Sequence, residues 1–358
     1  MLYTITMVRL YWFFYNQIKE VDIMEKNIVR ATYAMEKFYE YFEGKKREDI
    51  FCITHTDMDG IMAGSIVAKH FSTKNVLMAN YGKGGALGFD LKDLECEDSP
   101  LKGKDVIFTD YSFSTVKNMM DLLDYKPKSL SIFDHHMNTL ELVCSDEFNE
   151  VKNRASQEGV ELFYYIDTNR CGTKIIFDVL NNGKVTSNAE QKLINLIDLY
   201  DRWKFTQEDL SPVYLNEFLY GSTQSYVMSP VVSDLIYNES MERLDHWLSV
   251  GKEFYKIKEQ MNTLIDRSFS FNAEFHGHRI LAIEARGNSS LLGKAIKMYP
   301  FIAIFHYDSK KRVFIYSLYK REESDVDILS IAKSYGGGGH ICACGFVSEE
   351  RLITPVKE

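Results

Sequence analysis

Ile50-Phe51-Cys52-Ile53-Thr54 runs without a break into His55-Thr56-Asp57-Met58-Asp59-Gly60. The first five residues are a short apolar run with strand character, and the next six are polar, acidic and closed by a glycine. The same juncture recurs twice. Val106 to Thr109 ends at Asp110, and Leu130 to Phe133 ends at Asp134-His135-His136. A further run, Val76 to Ala79, has the same character, and helical patterns lie between. Strands alternating with helices predict an α/β domain with a mainly parallel sheet covered on both faces. Ligands bind such a sheet in the crevice beyond the carboxyl ends of its strands, so residues distant in sequence are expected to converge there.

Carboxylates and imidazoles together suit Mn²⁺ and related divalent ions, whereas thiolate sites favour zinc or iron–sulfur clusters. Two such ions about 3.5–4 Å apart can activate water and neutralise both the attacking and the leaving oxygen of a phosphoryl displacement. Each juncture also has a plainer reading. Asp57 and Asp59 can be turn formers before Gly60, Asp110 can cap a helix over Ser112 to Leu123, and His135-His136 can be a solvated loop pair. Three such junctures in one order, each at a strand end, favour the site reading.

His55-Thr56-Asp57-Met58-Asp59-Gly60, Asp110, Asp134-His135-His136 and Leu199-Tyr200-Asp201-Arg202-Trp203 resemble the four ordered motifs of the DHH phosphoesterase superfamily. Gly336-Gly337-Gly338-Gly339-His340, followed by Ala343-Cys344-Gly345-Phe346, resembles the signature of the accompanying DHHA1 domain. The H-x-D-x-D-G and Tyr-Asp-x-Trp forms are closest to the nanoRNase B branch, which degrades very short RNA. The resemblance implies one ion held by His55, Asp57 and Asp110, and a second held by Asp59, Asp110, His135 and Asp201, with Asp110 bridging. It also implies that His136 faces the scissile phosphate, with Asp134 orienting a histidine ring. Many relatives space the first histidine differently, and Asp198, one turn before Asp201, competes for the fourth motif.

Four successive glycines are costly in conformational entropy, so a close backbone approach is expected at 336–339. Such a loop can aim N–H groups at a phosphate with His340 adding a donor, or it can be a turn after a helix ending near Tyr335. Relatives often carry Ser-Leu-Arg-Ser before this helix, where this chain has Ser317-Leu318-Tyr319-Lys320-Arg321. Arg321 or Lys320 is the candidate replacement cation, and Tyr319 can stack on a base or simply pack. Asn288-Ser289-Ser290 reads as a helix cap. Gly82-Lys83-Gly84-Gly85 reads as a surface turn, and His276-Gly277-His278 as a turn between strands.

Outward from these motifs, Met24 to Glu43 carries Ile28, Ala31, Met35, Phe38 and Phe42 at helical spacing, which predicts an N-terminal helical extension over 1–47. A DHH catalytic domain is expected over 48–226. Leu244, Trp247, Leu248, Tyr255, Met261, Leu264 and Ile265 predict a helical connector over 227–268. A smaller α/β DHHA1 substrate-binding domain follows over 269–358, with strands at Arg279 to Glu284, Phe301 to His306 and Val313 to Leu318, and helices at Leu291 to Met298 and Ile328 to Ser334.

At 358 residues the chain is long enough for two cores. An excess of 51 acidic over 42 basic side chains gives a formal charge of −9, which argues against coating long nucleic acid and leaves a short, locally gripped substrate. Six scattered cysteines form no C-x-x-C pair and read as reduced, mostly buried thiols. The apolar start, Met1 to Tyr15, is interrupted by Arg9 and too short to span a bilayer, so a cytoplasmic protein without membrane contact is expected. The expected activity is two-metal hydrolysis of short oligoribonucleotides to mononucleotides, with Mn²⁺ and, as alternatives, Mg²⁺ or Co²⁺, in a monomer or homodimer. Rival substrates are cyclic dinucleotides and 3′-phosphoadenosine 5′-phosphate; a RecJ-like exonuclease or a non-catalytic nucleotide sensor fits less well.

Overall fold

Runs of at most seven residues, too short for most helices, pair side by side into two sheets. In the computed structural model, which describes residues 22–25, 28–31, 34–45, 47–80, 101–181, 184, 187–222, 225–286 and 295–356, the first sheet has seven strands. They are β1 (Asp22–Glu25), β2 (Ile28–Ala31), β3 (Ile50–Thr54), β4 (Val76–Met78), β5 (Asp105–Thr109), β6 (Ser129–Asp134) and β7 (Glu161–Asp167), in the spatial order β1-β2-β7-β6-β5-β3-β4. The five from β7 to β4 are parallel. Helices cover them, so every residue of β5 and β6 is buried and the runs read as continuously apolar rather than alternating. Thr54 pairs with Thr109 and Thr109 with Phe133. The chain therefore leaves β3, β5 and β6 at one level, at His55, Asp110 and the end of β6.

The N-terminal extension differs from the sequence expectation. Ile28 and Ala31 lie in β2, which pairs antiparallel with β7 and with β1, and only Ala34–Phe42 is helical. Sheet pairing overrides the helical spacing up to Ala31, and the spacing holds where Phe38 and Phe42 are buried. The expected helix over Ser112 to Leu123 is shorter, Val116–Leu123, and Thr115 caps it by accepting from the Asn118 N–H, so Asp110 is not a cap. Cys52, Cys171 and Cys344 are buried free thiols as expected, whereas Cys144 is exposed. Residues 1–21, Gly82 to Gly85, Asn288 to Ser290 and the first part of the Leu291 to Met298 helix lie outside the described residues; its remainder is a 3-10 turn, Ala295–Lys297. No described helix is long and apolar enough to cross a membrane.

The chain divides into two units, and described residues 205–222 and 242–356 form the second. The long helix Met241–Phe269 belongs there, together with the helix Ser211–Gly221 packed on it. A side chain at Gly251 would meet the Tyr214 carbonyl oxygen at 1.9 Å, and Lys258 Nζ reaches Glu217 Oε1 at 2.6 Å. The second sheet comprises β8 (Ser270–Phe275), β9 (His278–Glu284), β10 (Ile302–Asp308), β11 (Val313–Tyr319), β12 (Gly338–Gly339) and β13 (Ala343–Ser348). Its order is β12-β13-β11-β10-β9-β8, antiparallel except for β9 with β10.

The glycine run is the hinge of this sheet's edge. Helix Ile328–Ser334 ends in a left-handed Gly336 (φ 74°), whose N–H bonds Lys333 O while that of Gly337 bonds Ala332 O. A side chain at Gly337 would lie 2.1 Å from Gly345 O and 2.6 Å from Phe346 Cβ. The close approach expected at these glycines is thus made by the protein's own strand β13. Gly337→Ala is expected to destabilise the second unit by about 2 kcal/mol or more through overpacking. Gly277→Ala, where nothing lies within 4 Å, meets only the strain of its φ of 76° and should cost less. Thermal melts of both variants check the order.

Candidate metal centre

Beyond β3 the chain makes a half-turn and enters the helix Met58–Phe71. Asp57 caps it, with Oδ1 accepting from the Gly60 N–H at 2.9 Å, so Asp57 and Asp59 open a helix rather than form a turn before Gly60. A side chain at Gly60 would sit 2.4 Å from His55 O, so glycine is what allows this helix to start against His55. Asp57 Oδ2 lies 2.9 Å from His55 Nδ1. Beyond β5, Asp110 adopts a left-handed backbone (φ 52°), uncommon for a non-glycine residue and held by its N–H bond to Phe133 O. Beyond β6, Asp134 Oδ1 accepts from the His135 N–H and lies 2.7 Å from His136 Nδ1.

These strand ends bring together the residues singled out from the sequence. His135 Nε2 lies 3.1 Å from Asp110 Oδ1, 3.5 Å from Asp201 Oδ2 and 3.6 Å from Asp59 Oδ2. Three groups each hold one ligand atom per residue within 4.8 Å of one another: His55, Asp57 and Asp110; Asp59, His135 and Asp201; and Asp110, Asp134, His135 and His136. Asp110 is shared by the first and the last. The buried oxygens Asp110 Oδ2 and Asp201 Oδ2 meet no hydrogen-bond donor. Orphaned carboxylate oxygens among oxygen and imidazole ligands fit one or two hard to borderline divalent cations.

Electrostatics give the same picture. Burial, then the neighbouring Asp59, Asp57 and Asp201, raise the Asp110 carboxyl well above the ordinary carboxylate range. Burial likewise raises Asp201, His135 partly offsets it, and Asp59 and Asp57 add to it, leaving Asp201 at about 8. Asp134 behaves oppositely: burial raises it, but His136 and its hydrogen bond outweigh that and hold it below the usual range. Asp134 is therefore the ionised partner that orients His136.

Asp198 and Asp201 differ in what their carboxylates meet. Asp198 Oδ1 accepts from the Cys171 N–H at 2.8 Å, and its Oδ2 faces Arg202 Nη1 at 3.4 Å and Lys174 Nζ at 3.8 Å. It anchors a loop, whereas Asp201 Oδ2 faces His135.

Sequence reasoning misses that loop. After β7 the chain runs Asp167-Thr168-Asn169-Arg170-Cys171-Gly172 into the helix Gly172–Asn181, a fourth strand-end juncture that only the recognition of β7 as a strand would reveal. The N–H groups of Gly172 and Thr173 donate to Asp59 Oδ2 and Oδ1 at 2.7 and 2.8 Å. A side chain at Gly172 would lie 2.6 Å from Asp110 Cβ. Arg170 fixes the loop through Asp167 Oδ2, Asp178 Oδ2 and Tyr165 Oη.

Gly336 to His340 and Arg321 lie in the second unit. His340 is exposed on a tight turn closed by its N–H to Ala343 O at 2.7 Å. The Lys320 N–H donates to Cys342 O, so this turn shares an edge with Lys320 and Arg321. Arg321 is exposed, 3.9 Å from Glu323 Oε2.

No protein-family sequence model and no curated protein sequence matches the chain. Among solved structures, the DHH domain of a member of the s1p family of ribosomal proteins is similar at a TM-score of 0.59 and 13% identity, over 88% of this chain and 85% of that one. RecJ from Thermus thermophilus in complex with Mn²⁺ (TM-score 0.46, 9% identity) aligns over 92% of this chain and 53% of its own. A pGpG-specific phosphodiesterase from Vibrio cholerae (TM-score 0.44, 13% identity) aligns over 84% and 92%. The first shares the fold; at such identity it establishes no more than that.

Two outcomes are expected. In Mn²⁺ titration calorimetry, Asp201→Asn should weaken binding at least about 10-fold, whereas Asp198→Asn should stay within about threefold and instead lower the melting temperature. The second concerns pH. Asp201 and Asp110 have folded-state pKa values above their unfolded ones, so the folded state binds extra protons and loses stability as pH rises from about 4 towards 8. His135 is raised too, since Asp201 and Asp59 outweigh the effect of its burial, and its contribution is likewise lost as pH rises. Metal-free protein should therefore melt lower at about pH 8 than at about pH 6, and saturating Mn²⁺ should raise the melting temperature more at the higher pH. An Mn²⁺ effect independent of pH would contradict this.

Proposed function

We infer that this chain, whose fold is that of a DHH domain, is a metal-dependent phosphoesterase, and we propose that within this class it hydrolyses short oligoribonucleotides to mononucleotides. One observation carries the reading: Asp59, Asp110 and Asp201 all face His135 Nε2 within 3.6 Å beyond the parallel strands, and Asp110 Oδ2 and Asp201 Oδ2 are buried without a hydrogen-bond donor. A non-catalytic binder has no use for such mutual repulsion. Divalent cations, when bound, supply charge neutralisation at phosphoryl oxygens and lower the pKa of water. His55, Asp57 and Asp110 would hold one ion, and Asp59, Asp110, His135 and Asp201 the other, with Mn²⁺ favoured by the mixed imidazole and carboxylate set.

The remaining groups belong to the substrate. His136 is held through Nδ1 by ionised Asp134, which leaves Nε2 as the ring nitrogen to address a phosphoryl oxygen. In the second unit, His340 with Lys320 and Arg321 forms a basic edge suited to a second phosphate or a terminal nucleotide. A formal charge of −9 supports short substrates over long strands.

The test is a panel of linear dinucleotides, cyclic dinucleotides, 3′-phosphoadenosine 5′-phosphate and longer single strands, with Mn²⁺ or Mg²⁺. Linear dinucleotides should be turned over fastest, and Asp110→Asn should lower kcat by about 1,000-fold or more while the protein still folds. His340→Ala should lower kcat/KM for a dinucleotide on the order of 10-fold and leave a small synthetic phosphodiester nearly unaffected. Retained activity in Asp110→Asn would remove the metal reading; faster cleavage of another substrate would move the assignment to that one.

A further inference from the structure

The first half of the helix Met241–Phe269 is committed to its own unit: Leu244, Trp247 and Leu248 are buried. The second half presents apolar side chains to solvent. Ile257, Met261 and Leu264 are 58%, 59% and 64% exposed, and their steps of four and three place them on one stripe. Phe254, half-buried with its ring against Gly221 of the neighbouring helix, and exposed Ser268 continue the spacing in both directions, so the stripe is a heptad seam over about four turns whose Phe254 end is partly covered by its own unit. Beside it run Glu253, Gln260 and Arg267, seven residues apart and all exposed. Glu253 bonds Lys256 across a solvated turn, a pairing that is weak and readily exchanged.

This pattern is complementary to itself when reversed. Place a second copy of the helix antiparallel, with Ile257 of one across from Met261 of the other. Phe254 then falls opposite Leu264, and the same register sets Glu253 beside Arg267 of the second copy, Gln260 beside Gln260, and Arg267 beside Glu253. Apolar layers and both flanking charge pairs are satisfied by one alignment. We propose that this face pairs two copies of the chain as an antiparallel homodimer. A seam of about four layers is small beside the roughly 1,200–2,000 Å² of a stable interface, so the association is reversible, with a Kd on the order of micromolar.

Sedimentation equilibrium of the full chain across roughly 1–100 µM reads this directly. Wild type should show a reversible monomer–dimer equilibrium. Arg267→Glu, which sets like charges together at both ends of the seam, should raise Kd at least about 10-fold, and Leu264→Lys should leave only monomer. The double variant Glu253→Arg/Arg267→Glu restores opposite charges in the same register and should return Kd to within about threefold of wild type. These positions are exposed, so circular dichroism melts should be nearly unchanged. A protein that stays monomeric throughout overturns the proposal. So does a dimer indifferent to Leu264→Lys, which would mean another surface, or a double variant no tighter than Arg267→Glu, which would mean another register.

Discussion

Mutual repulsion among buried carboxylates is the constraint around which the first unit is arranged. Asp59 and Asp110 are 2% and 1% exposed, and Asp201 stands beside them with one oxygen that meets no donor. Burying several like charges without neutralisation is costly enough to shift titration by several units. Burial and the neighbouring acids raise the carboxyls of Asp110 and Asp201, and His135 offsets only part of this at Asp201. Lys174 and Arg202 are nearby, yet both face Asp198.

Everything nearby serves to hold the acids in place. β3, β5 and β6 end in register, which brings His55, Asp110 and Asp134 to one level. Two helix starts then meet over them. Gly60 lets the helix Met58–Phe71 begin against His55, and Gly172 lets the helix Gly172–Asn181 begin against Asp110 while its first N–H groups grip both oxygens of Asp59. The helix start thus supplies Asp59 with two backbone donors, one for each oxygen.

Much of this is legible in the sequence, for identifiable reasons. β3, β5 and β6 are central parallel strands, hence short apolar runs, and each brings its candidate residue within two positions of its last apolar one, after Thr54, after Thr109 and directly after Phe133. The helix Ile328–Ser334 has the bounds its sequence pattern predicts. β7 escapes because Glu161–Asp167 begins with a charge and is followed by polar residues, and with it goes the loop that anchors Asp59. The N-terminal strands escape because Ile28 and Ala31 fit a helical stripe as well as a strand, and only pairing with β7 decides between them. At Gly337 and Gly339 the close approach is made by strand β13. Close approach is visible in a sequence, but its partner is not.

Asp198 and Asp201 show why residue type alone cannot assign a metal ligand. They lie three residues apart on one helix, both acidic and both facing inward. The difference lies in what each carboxylate accepts. Asp198 takes the Cys171 N–H and faces two cations, so its charge is spent on the loop. Asp201 has an oxygen aimed at His135 with no donor of its own, so its charge remains available to a cation. Asp134 and Asp110 each set one oxygen against an imidazole, His136 and His135 respectively, and leave the other without a donor; Asp134 differs in also accepting the His135 N–H. Asp59 combines the traits of Asp198 and Asp201, with its oxygens each taking one N–H and Oδ2 still turned towards His135, which suits a ligand that must be rigid as well as charged. Donor satisfaction thus separates Asp198 from Asp201, a distinction set by tertiary contacts far apart in sequence.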